Sequence, residues 1–169
     1  MKNDKITGID SLRLNIPEMI KEIVNRQYLI QPEFRRYGDK GIYHSMEDAK
    51  YNMDYLLASI ETESPTLLIE YNKWANRLFD GLKLPIQTLL NFYQCTLEVL
   101  KTYVDEEKLD INFYSQLEEY INLGMNALTH ESPEEVQNVE NSVNPMREQL
   151  KIYSDFIFAG EKNSAIRYF

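Results

Sequence analysis

The chain has two histidines and one cysteine, the side chains best suited to metal, cofactor or nucleophilic chemistry. A di-iron bundle needs two Glu-x-x-His motifs, and a structural zinc site needs clustered Cys and His. A cysteine nucleophile needs a base close by. Cys95, His44 and His130 are too widely separated in sequence to suggest any of these sites. The sequence therefore predicts a protein that is not an enzyme, with Cys95 as a small core residue.

The two histidines also bear on phosphotransfer and haem binding. His130 begins a His-Glu-Ser-Pro stretch that resembles the phospho-accepting segment of sensor kinases, where the histidine lies inside a long helix. A haem ligand should likewise be a mid-helix histidine that faces an apolar pocket. Here His130 is predicted between two helices and His44 just before a helix start. The pattern argues against both roles, although a haem or other tetrapyrrole sensor stays an alternative.

Aromatic side chains offer a different kind of site. Residues of two successive helices are predicted to face one another across the tight turn at Pro85: Tyr71, Trp74 and Leu78 from the first, and Leu89, Tyr93 and Leu97 from the second. Tyrosine and tryptophan can line an apolar cavity and still offer a polar hydrogen to one end of a guest. The alternative, that these side chains only pack against one another, is equally compatible with the sequence.

The helices that position these residues lie between Tyr43 and Leu82. The first is predicted to start at Ser45 and the second at Ser64-Pro65, ending near Gly81. The first has an apolar stripe at helical spacing, formed by Met46, Ala49, Met53, Leu56 and Ile60. Tyr51 and Tyr55 lie almost opposite this stripe, which is typical of a helix enclosed by neighbours or offering a second face to a ligand or partner.

The remaining segments also read as helices. One is predicted to open at Asn15-Ile16-Pro17-Glu18, after which a glycine loop covers residues 38–41. Others are predicted from Ile86 to Val104, running back antiparallel to the preceding helix, from Phe113 to about His130, and from Val136 to Ile157, with Pro145 inside. No segment alternates like a strand. We expect one all-α domain over residues 1–169, with an arm at 1–14 and a tail at 161–169.

Composition limits the partners. Of the 169 residues, 43% are hydrophobic and 27% charged, a globular balance. The net charge of −9 argues against nucleic acid or an anionic membrane, since both need clustered Lys and Arg. No apolar run approaches the roughly 18 residues of a membrane-spanning helix, and the polar start, Met1–Asp10, does not resemble a secretory signal. The sequence predicts a cytoplasmic protein.

The region from Tyr43 to Leu100 resembles a known group of bacterial helical sensor modules. The resemblance rests on three sets of positions: Asp48, Asn52, Met53, Tyr55 and Leu56; then Leu68, Tyr71 and Trp74; then, after a short turn, Leu89, Leu90, Leu97 and Leu100. One branch precedes cobalamin-binding domains and usually has histidine where this chain has Asn52. The other is the haem-less globin-like sensor domain of sporulation histidine kinases, which includes stand-alone sporulation inhibitory proteins. The stand-alone form fits a chain of this length better.

The resemblance implies a globin-like bundle of six to eight helices without haem. It also implies a homodimer packed through its terminal helices, a bound fatty acid and a chloride ion in a nearby polar chamber. Such a protein would inhibit sporulation by competing with, or pairing with, a kinase's sensor domain. The acyl-chamber candidates are Tyr71, Trp74, Leu78, Leu89, Tyr93 and Leu97, and the polar candidates are Arg36, His44, Tyr51 and Tyr55. The alternative is a protein-interaction module with a solid core.

Overall fold

The computed structural model describes residues 5–129, and this part of the chain is all-α, as predicted. It contains five α-helices and one 3₁₀ helix: α1 Ile9–Ile30, the 3₁₀ helix Pro32–Tyr37, α2 Gly38–Glu61, α3 Thr66–Gly81, α4 Gln87–Asp105 and α5 Ile111–Thr129. The predicted last helix at 136–157, its Pro145 and the tail lie outside the described residues. None of the described helices is both long and apolar enough to cross a membrane.

The first helix begins earlier than predicted. α1 starts at Ile9, so the predicted start at Asn15 is wrong. The Ser11 hydroxyl oxygen accepts hydrogen bonds from the backbone N–H groups of Thr7 (3.1 Å) and Gly8 (3.3 Å), and the hydroxyl donates to the Gly8 carbonyl (3.0 Å). This serine satisfies amides that precede the first helical hydrogen bond, so the helix can start at this point.

Pro17 and the segment ahead of α1 both differ from what the sequence pattern predicts. Pro17 lies inside α1, where it leaves the Arg13 carbonyl without its usual N–H donor. Both residues are exposed, so water can hydrogen-bond this carbonyl. Ahead of the helix, Ile6 is buried, its N–H donates to the Lys108 carbonyl at 2.7 Å, and it forms an isolated bridge with Leu109. Ile6, in the predicted arm, is therefore packed against the loop before α5, and residues 9–14 of that arm belong to α1.

The second helix also starts earlier than predicted. α2 begins at Gly38, so the predicted glycine loop and the predicted start at Ser45 are wrong. Gly38 has a φ of 60°, which glycine adopts at little cost, and it turns the chain from the 3₁₀ helix directly into α2. At Gly41, a Cβ would collide with the Cβ of Tyr37. The second glycine therefore permits close packing and does not form a loop. Ser45 lies inside α2 and is therefore not its cap, and its hydroxyl lies 3.0 Å from that of Tyr28 on α1.

The other described boundaries agree closely with the prediction. α3 begins just after Pro65, and the Ser64 hydroxyl accepts from the Thr66 N–H at 3.4 Å. α5 is capped by Asp110, whose Oδ1 accepts from the N–H groups of Asn112 (2.9 Å) and Phe113 (3.2 Å). The Ser64-Pro65 signal therefore places the start of α3 correctly, and the apolar spacing from Phe113 places that of α5 to within two residues.

The helices do not each pack on the next one in the chain. α1 packs on α2 and α4, α3 packs on α2 and α5, and α5 also contacts α2 and α4. The successive helices α3 and α4 form no comparable interface, so the predicted face-to-face packing across Pro85 is wrong. Instead, α3 packs on α5, and α4 packs on both α1 and α5. The buried residues of α5 include Phe113, Leu117, Ile121 and Leu128.

Candidate functional site

Three polar side chains meet in the middle of the apolar core. Asn52 on α2, Asn72 on α3 and Tyr93 on α4 are 4%, 0% and 1% exposed. The Tyr93 hydroxyl lies 3.0 Å from Asn52 Oδ1 and 2.7 Å from Asn72 Oδ1. We call these three residues the core triad. It links α3 to α4 through side chains, although the two helices do not pack on each other.

Counting hydrogens shows that the core triad is not fully satisfied. Asn52 Nδ2 donates to the Asp48 carbonyl at 2.8 Å, which fixes Asn52 Oδ1 as an acceptor. A phenol has one hydrogen, so Tyr93 donates to only one of the two amide oxygens at a time. Asn72 Nδ2 is buried and has no hydrogen-bond partner in the described part of the chain. Asn72 is therefore the member of the triad with capacity left for a further hydrogen bond.

A glycine on α5 makes room for this amide. A Cβ at Gly124 would lie 2.8 Å from Asn72 Nδ2 and 3.0 Å from Leu68 Cδ2, both closer than normal contact. α3 and α5 can approach closely here only because residue 124 has no side chain. The space on this side of Asn72 is filled, so an additional partner would have to approach the amide from elsewhere.

A buried serine sets the corner between α2 and α3. Ser59 is 0% exposed, and its hydroxyl oxygen accepts from the Leu68 N–H at 2.9 Å, one of the amides in the first turn of α3 that lack helical partners. The start of α3 is therefore attached to the end of α2. This attachment helps to direct Asn72 of α3 and Asn52 of α2 toward the same Tyr93 hydroxyl.

An aromatic group lies beside the core triad. The rings of Tyr55 and Tyr71 are stacked at 4.2 Å with an interplanar angle of 16°, and Tyr71 is 5.7 Å from Trp74. Tyr71 precedes Asn72 in α3, and Tyr55 lies one helical turn after Asn52 in α2. Burial raises the pKa of Tyr55 above its ordinary value, so its hydroxyl is neutral at physiological pH.

The predicted acyl-chamber residues divide into two sets. Tyr71, Leu89 and Tyr93 are buried, whereas Trp74, Leu78 and Leu97 are half-buried. The structure does not bring the two sets of three together as facing helix surfaces, because α3 and α4 are held apart. One contact that does join the two helices is the 2.7 Å approach of the Tyr93 hydroxyl to Asn72 Oδ1.

Two of the four predicted polar residues, Arg36 and His44, lie just before α2 and in its first half, away from the core triad. Arg36 is exposed, and its Nη2 donates to the Tyr37 hydroxyl at 3.2 Å. His44 is inside α2 and not before it, so the argument against haem from its position at a helix end is wrong. His44 precedes Asn52 by eight residues, about 12 Å along the axis. Tyr51 is half-buried, and Tyr55 is the polar candidate that joins the aromatic group.

The electrostatics of His44 are those of a partly buried ring. Desolvation lowers its pKa below 6.5, the Glu47 carboxylate opposes this, and the Lys40 ammonium adds to it. The ring is in edge-on contact with that of Tyr43, with centroids 5.2 Å apart. His44 is therefore mainly neutral near pH 7.

Sequence reasoning missed Asn72, Ser59 and Thr96, and it noted Asn52 only as a departure from a family pattern. All four are at most 4% exposed. A signal was available for the two asparagines: each interrupts an apolar helical stripe at a position that faces inward. Asn72 falls between Leu68 and Ala75, and a buried polar residue in such a stripe requires a partner.

A separate concavity of about 440 Å³ lies at the surface. Its lining is Thr7, Gly8, Ile9, Asp10, Ile60, Glu61, Glu63, Phe113 and Gln116. None of the predicted ligand residues is among them, so the concavity is distinct from the core triad.

No protein-family model matches the chain, and the searches found neither a similar curated protein nor a similar solved structure.

Proposed function

We propose that this protein is a non-catalytic, cytoplasmic signal-binding module that holds a fatty-acid-like guest beside the core triad. The observation that carries the proposal is the buried Asn72 Nδ2, a donor without a partner in the described part of the chain. An orphaned buried donor costs about 1–3 kcal/mol, so its retention needs an explanation. A guest oxygen that accepts from this amide would remove the cost.

The surroundings of the amide suit a guest with an apolar body and one polar end. The triad supplies amide and phenol groups, while Tyr71, next to Asn72 in α3, and Trp74 supply aromatic surface. Few polar groups in a mostly apolar lining are typical of small-molecule sites. The half-buried Trp74, Leu78 and Leu97 lie on the two helices that do not pack together, and this is where we place the acyl chain.

A globin-like arrangement is part of the proposal. Globin helices cross in pairs around a central pocket and do not simply stack in chain order. The packing of α1 on α2 and α4, the packing of α3 on α5, and the separation of α3 from α4 support such an arrangement. The short 3₁₀ helix between α1 and α2 is compatible with it.

The biological role rests on the resemblance over residues 43–100. We propose that the protein forms a homodimer and suppresses sporulation by sequestering the signal of a sensor histidine kinase, or by pairing with its sensor domain. Any chloride would bind near the polar end of the guest. Catalysis by Cys95 is disfavoured, because burial raises its thiol pKa to about 11.

A second candidate is a protein-interaction module with a solid core. The observations that favour it are the nearly complete enclosure of Tyr93 and Leu89, which are 1% and 6% exposed, and the filled space between Asn72 and Gly124. In that case the triad would serve only to fix the helix positions.

The test combines mass analysis with tryptophan fluorescence. We expect organic extracts of the purified protein to contain fatty acid, and we expect palmitate to shift the emission of Trp74, the single tryptophan. Asn72→Leu should weaken palmitate binding about tenfold, the equivalent of one hydrogen bond. Asn122→Leu, the same exchange at an exposed position on α5, is the matched control.

Three outcomes would count against the proposal. Absence of both co-purifying lipid and a palmitate response would favour the solid interaction module. Equal palmitate affinity of Asn72→Leu and Asn122→Leu would remove the triad from the site. A visible absorption band from a bound tetrapyrrole would identify a different ligand and revive the haem alternative, with His44 as its candidate ligand.

A further inference from the structure

The core triad lacks a hydrogen as well as an acceptor. The side-chain oxygens of Asn52 and Asn72 lie 3.0 and 2.7 Å from the Tyr93 hydroxyl, which carries one hydrogen. At any moment, one of these two oxygens therefore receives no hydrogen from Tyr93. No second donor among the described residues reaches either oxygen. Asn72 Nδ2, in turn, has no acceptor in the described part of the chain.

Both needs arise around one hydroxyl group. Asn72 carries the donor that lacks an acceptor and also one of the two oxygens that compete for the Tyr93 hydrogen. A guest head with a hydroxyl or a primary amide can meet both needs, because such a group donates one hydrogen and accepts another. A carboxylate, an ether or an ester only accepts, so it would leave one oxygen of the triad without a hydrogen.

The charge of the surroundings also disfavours a carboxylate. No charged side chain of the described residues is buried, and the buried polar residues are Gln27, Gln31, Asn52, Ser59, Asn72 and Thr96. A carboxylate beside the triad would therefore lie in the core without a buried opposite charge, which is strongly unfavourable. A neutral head avoids this cost.

The cations near the triad lie on other sides of its helices. Lys73 and Arg77 are the two cations of α3, and both are half-buried. At about 100° per residue, they lie about 100° and 140° around the helix from Asn72. Lys73 Nζ also lies 3.3 Å from the Glu70 carboxylate, so its charge is already paired. Every cation of α2 and α4 is exposed.

We infer that the guest has a neutral head that both donates and accepts a hydrogen bond: an alcohol, a primary amide or a protonated carboxylic acid. This inference rests on the proposed function, because it specifies the head of the guest that we place beside the core triad. A fatty acid meets the condition only while its carboxyl group is protonated. Fatty alcohols and primary fatty amides meet it without a change in protonation.

Three small amphiphiles with equal numbers of carbon atoms test the inference on the full chain. Lauryl alcohol donates and accepts, its isomer methyl undecyl ether only accepts, and laurate only accepts and is charged at pH 8. Binding is followed by the fluorescence of Trp74, the single tryptophan. We expect the alcohol to bind about tenfold more tightly than the ether, the equivalent of one hydrogen bond. It should bind about a hundredfold or more tightly than laurate, because of the unpaired charge.

Two variants of the triad should affect the preference for the alcohol differently. Asn72→Leu leaves the Tyr93 hydrogen to Asn52 alone, so no oxygen lacks a hydrogen, and the alcohol and the ether should bind equally. Tyr93→Phe removes that hydrogen and leaves both oxygens without one, so the preference should persist or increase. Asn122→Leu, at an exposed position on α5, is the matched control and should leave the tenfold ratio unchanged. Circular dichroism verifies that each variant is folded, and the comparison on the unaltered chain needs no variant.

The outcomes separate this inference from the proposed function. Laurate that binds as tightly as lauryl alcohol would overturn the neutral head and leave the proposed function supported. Equal affinities of the unaltered chain for the two isomers would overturn the need for a donor. An equal ratio in Asn72→Leu and Asn122→Leu would also overturn it. Absence of binding by all three probes would overturn this inference and the proposed function together.

Discussion

Replacing Tyr93 by phenylalanine tests the energetic role of the core triad. The change keeps the ring, which is 1% exposed, and removes the hydroxyl that lies 3.0 Å from Asn52 Oδ1 and 2.7 Å from Asn72 Oδ1. An acceptor left unpaired in the core costs about 1–3 kcal/mol. With a urea m-value of about 2 kcal/mol/M, the unfolding midpoint should fall by roughly 0.5–1.5 M at constant m.

The control for this measurement is Tyr114→Phe. The Tyr114 hydroxyl donates to Glu118 at 2.9 Å in a part-exposed position, so its loss should change the stability by less than about 0.5 kcal/mol. The double variant with Asn72→Leu and Tyr93→Phe should be less destabilised than the sum of the single changes, because the two partners leave together. If Tyr93→Phe is no more destabilising than Tyr114→Phe, the accounting of hydrogen bonds in the core is wrong.

Three further predictions concern other described positions. Gly124→Ala gains about 1 kcal/mol of helix propensity but forces a Cβ to 2.8 Å from Asn72 Nδ2, and such overpacking costs about 1–3 kcal/mol. The variant should therefore be less stable than the wild type, with a lower urea midpoint. Cys95, with a thiol pKa of about 11, should have about one thiolate in a thousand at pH 8, so a disulfide reagent should react far more slowly with folded than with unfolded protein. Because the pKa of His44 is lowered from 6.5, the folded state binds fewer protons than the unfolded state just below that pH. Stability should therefore fall as the pH decreases through 6.5, NMR titration should show the lowered value, and Lys40→Gln should raise it.

Helical periodicity explains most of what was predicted correctly. The stripe containing Met53 and Leu56 is buried as expected, because residues at steps of three and four share one face of a helix. Tyr55, on the opposite side, does contact another aromatic residue, Tyr71. Cys95 is 2% exposed, so its interpretation as a core residue is confirmed. These properties depend on the local chain, and a sequence contains them directly.

The incorrect boundaries come from residues with more than one use. The sequence pattern predicts a loop at Gly41 because glycine is common in loops, but this glycine permits α2 to pack against Tyr37. Pro17 predicts a helix start, but it is tolerated inside α1 because Pro17 and Arg13, whose carbonyl loses its donor, are both exposed. Both outcomes depend on how the folded chain packs and where water reaches the backbone, and the local sequence pattern does not contain this information.

The sequence specified that the part of the chain described by the structure is all-α, and which face of each helix is apolar, since both follow from composition and spacing within a few turns. Tertiary packing decided which helices meet. A short turn after α3 suggested that α4 would pack against it, but α3 packs on α2 and α5, and α4 packs on α1 and α5. The core triad exists because that choice brings Asn52, Asn72 and Tyr93 together from three separate helices. Such a meeting depends on long-range geometry, which no local spacing encodes.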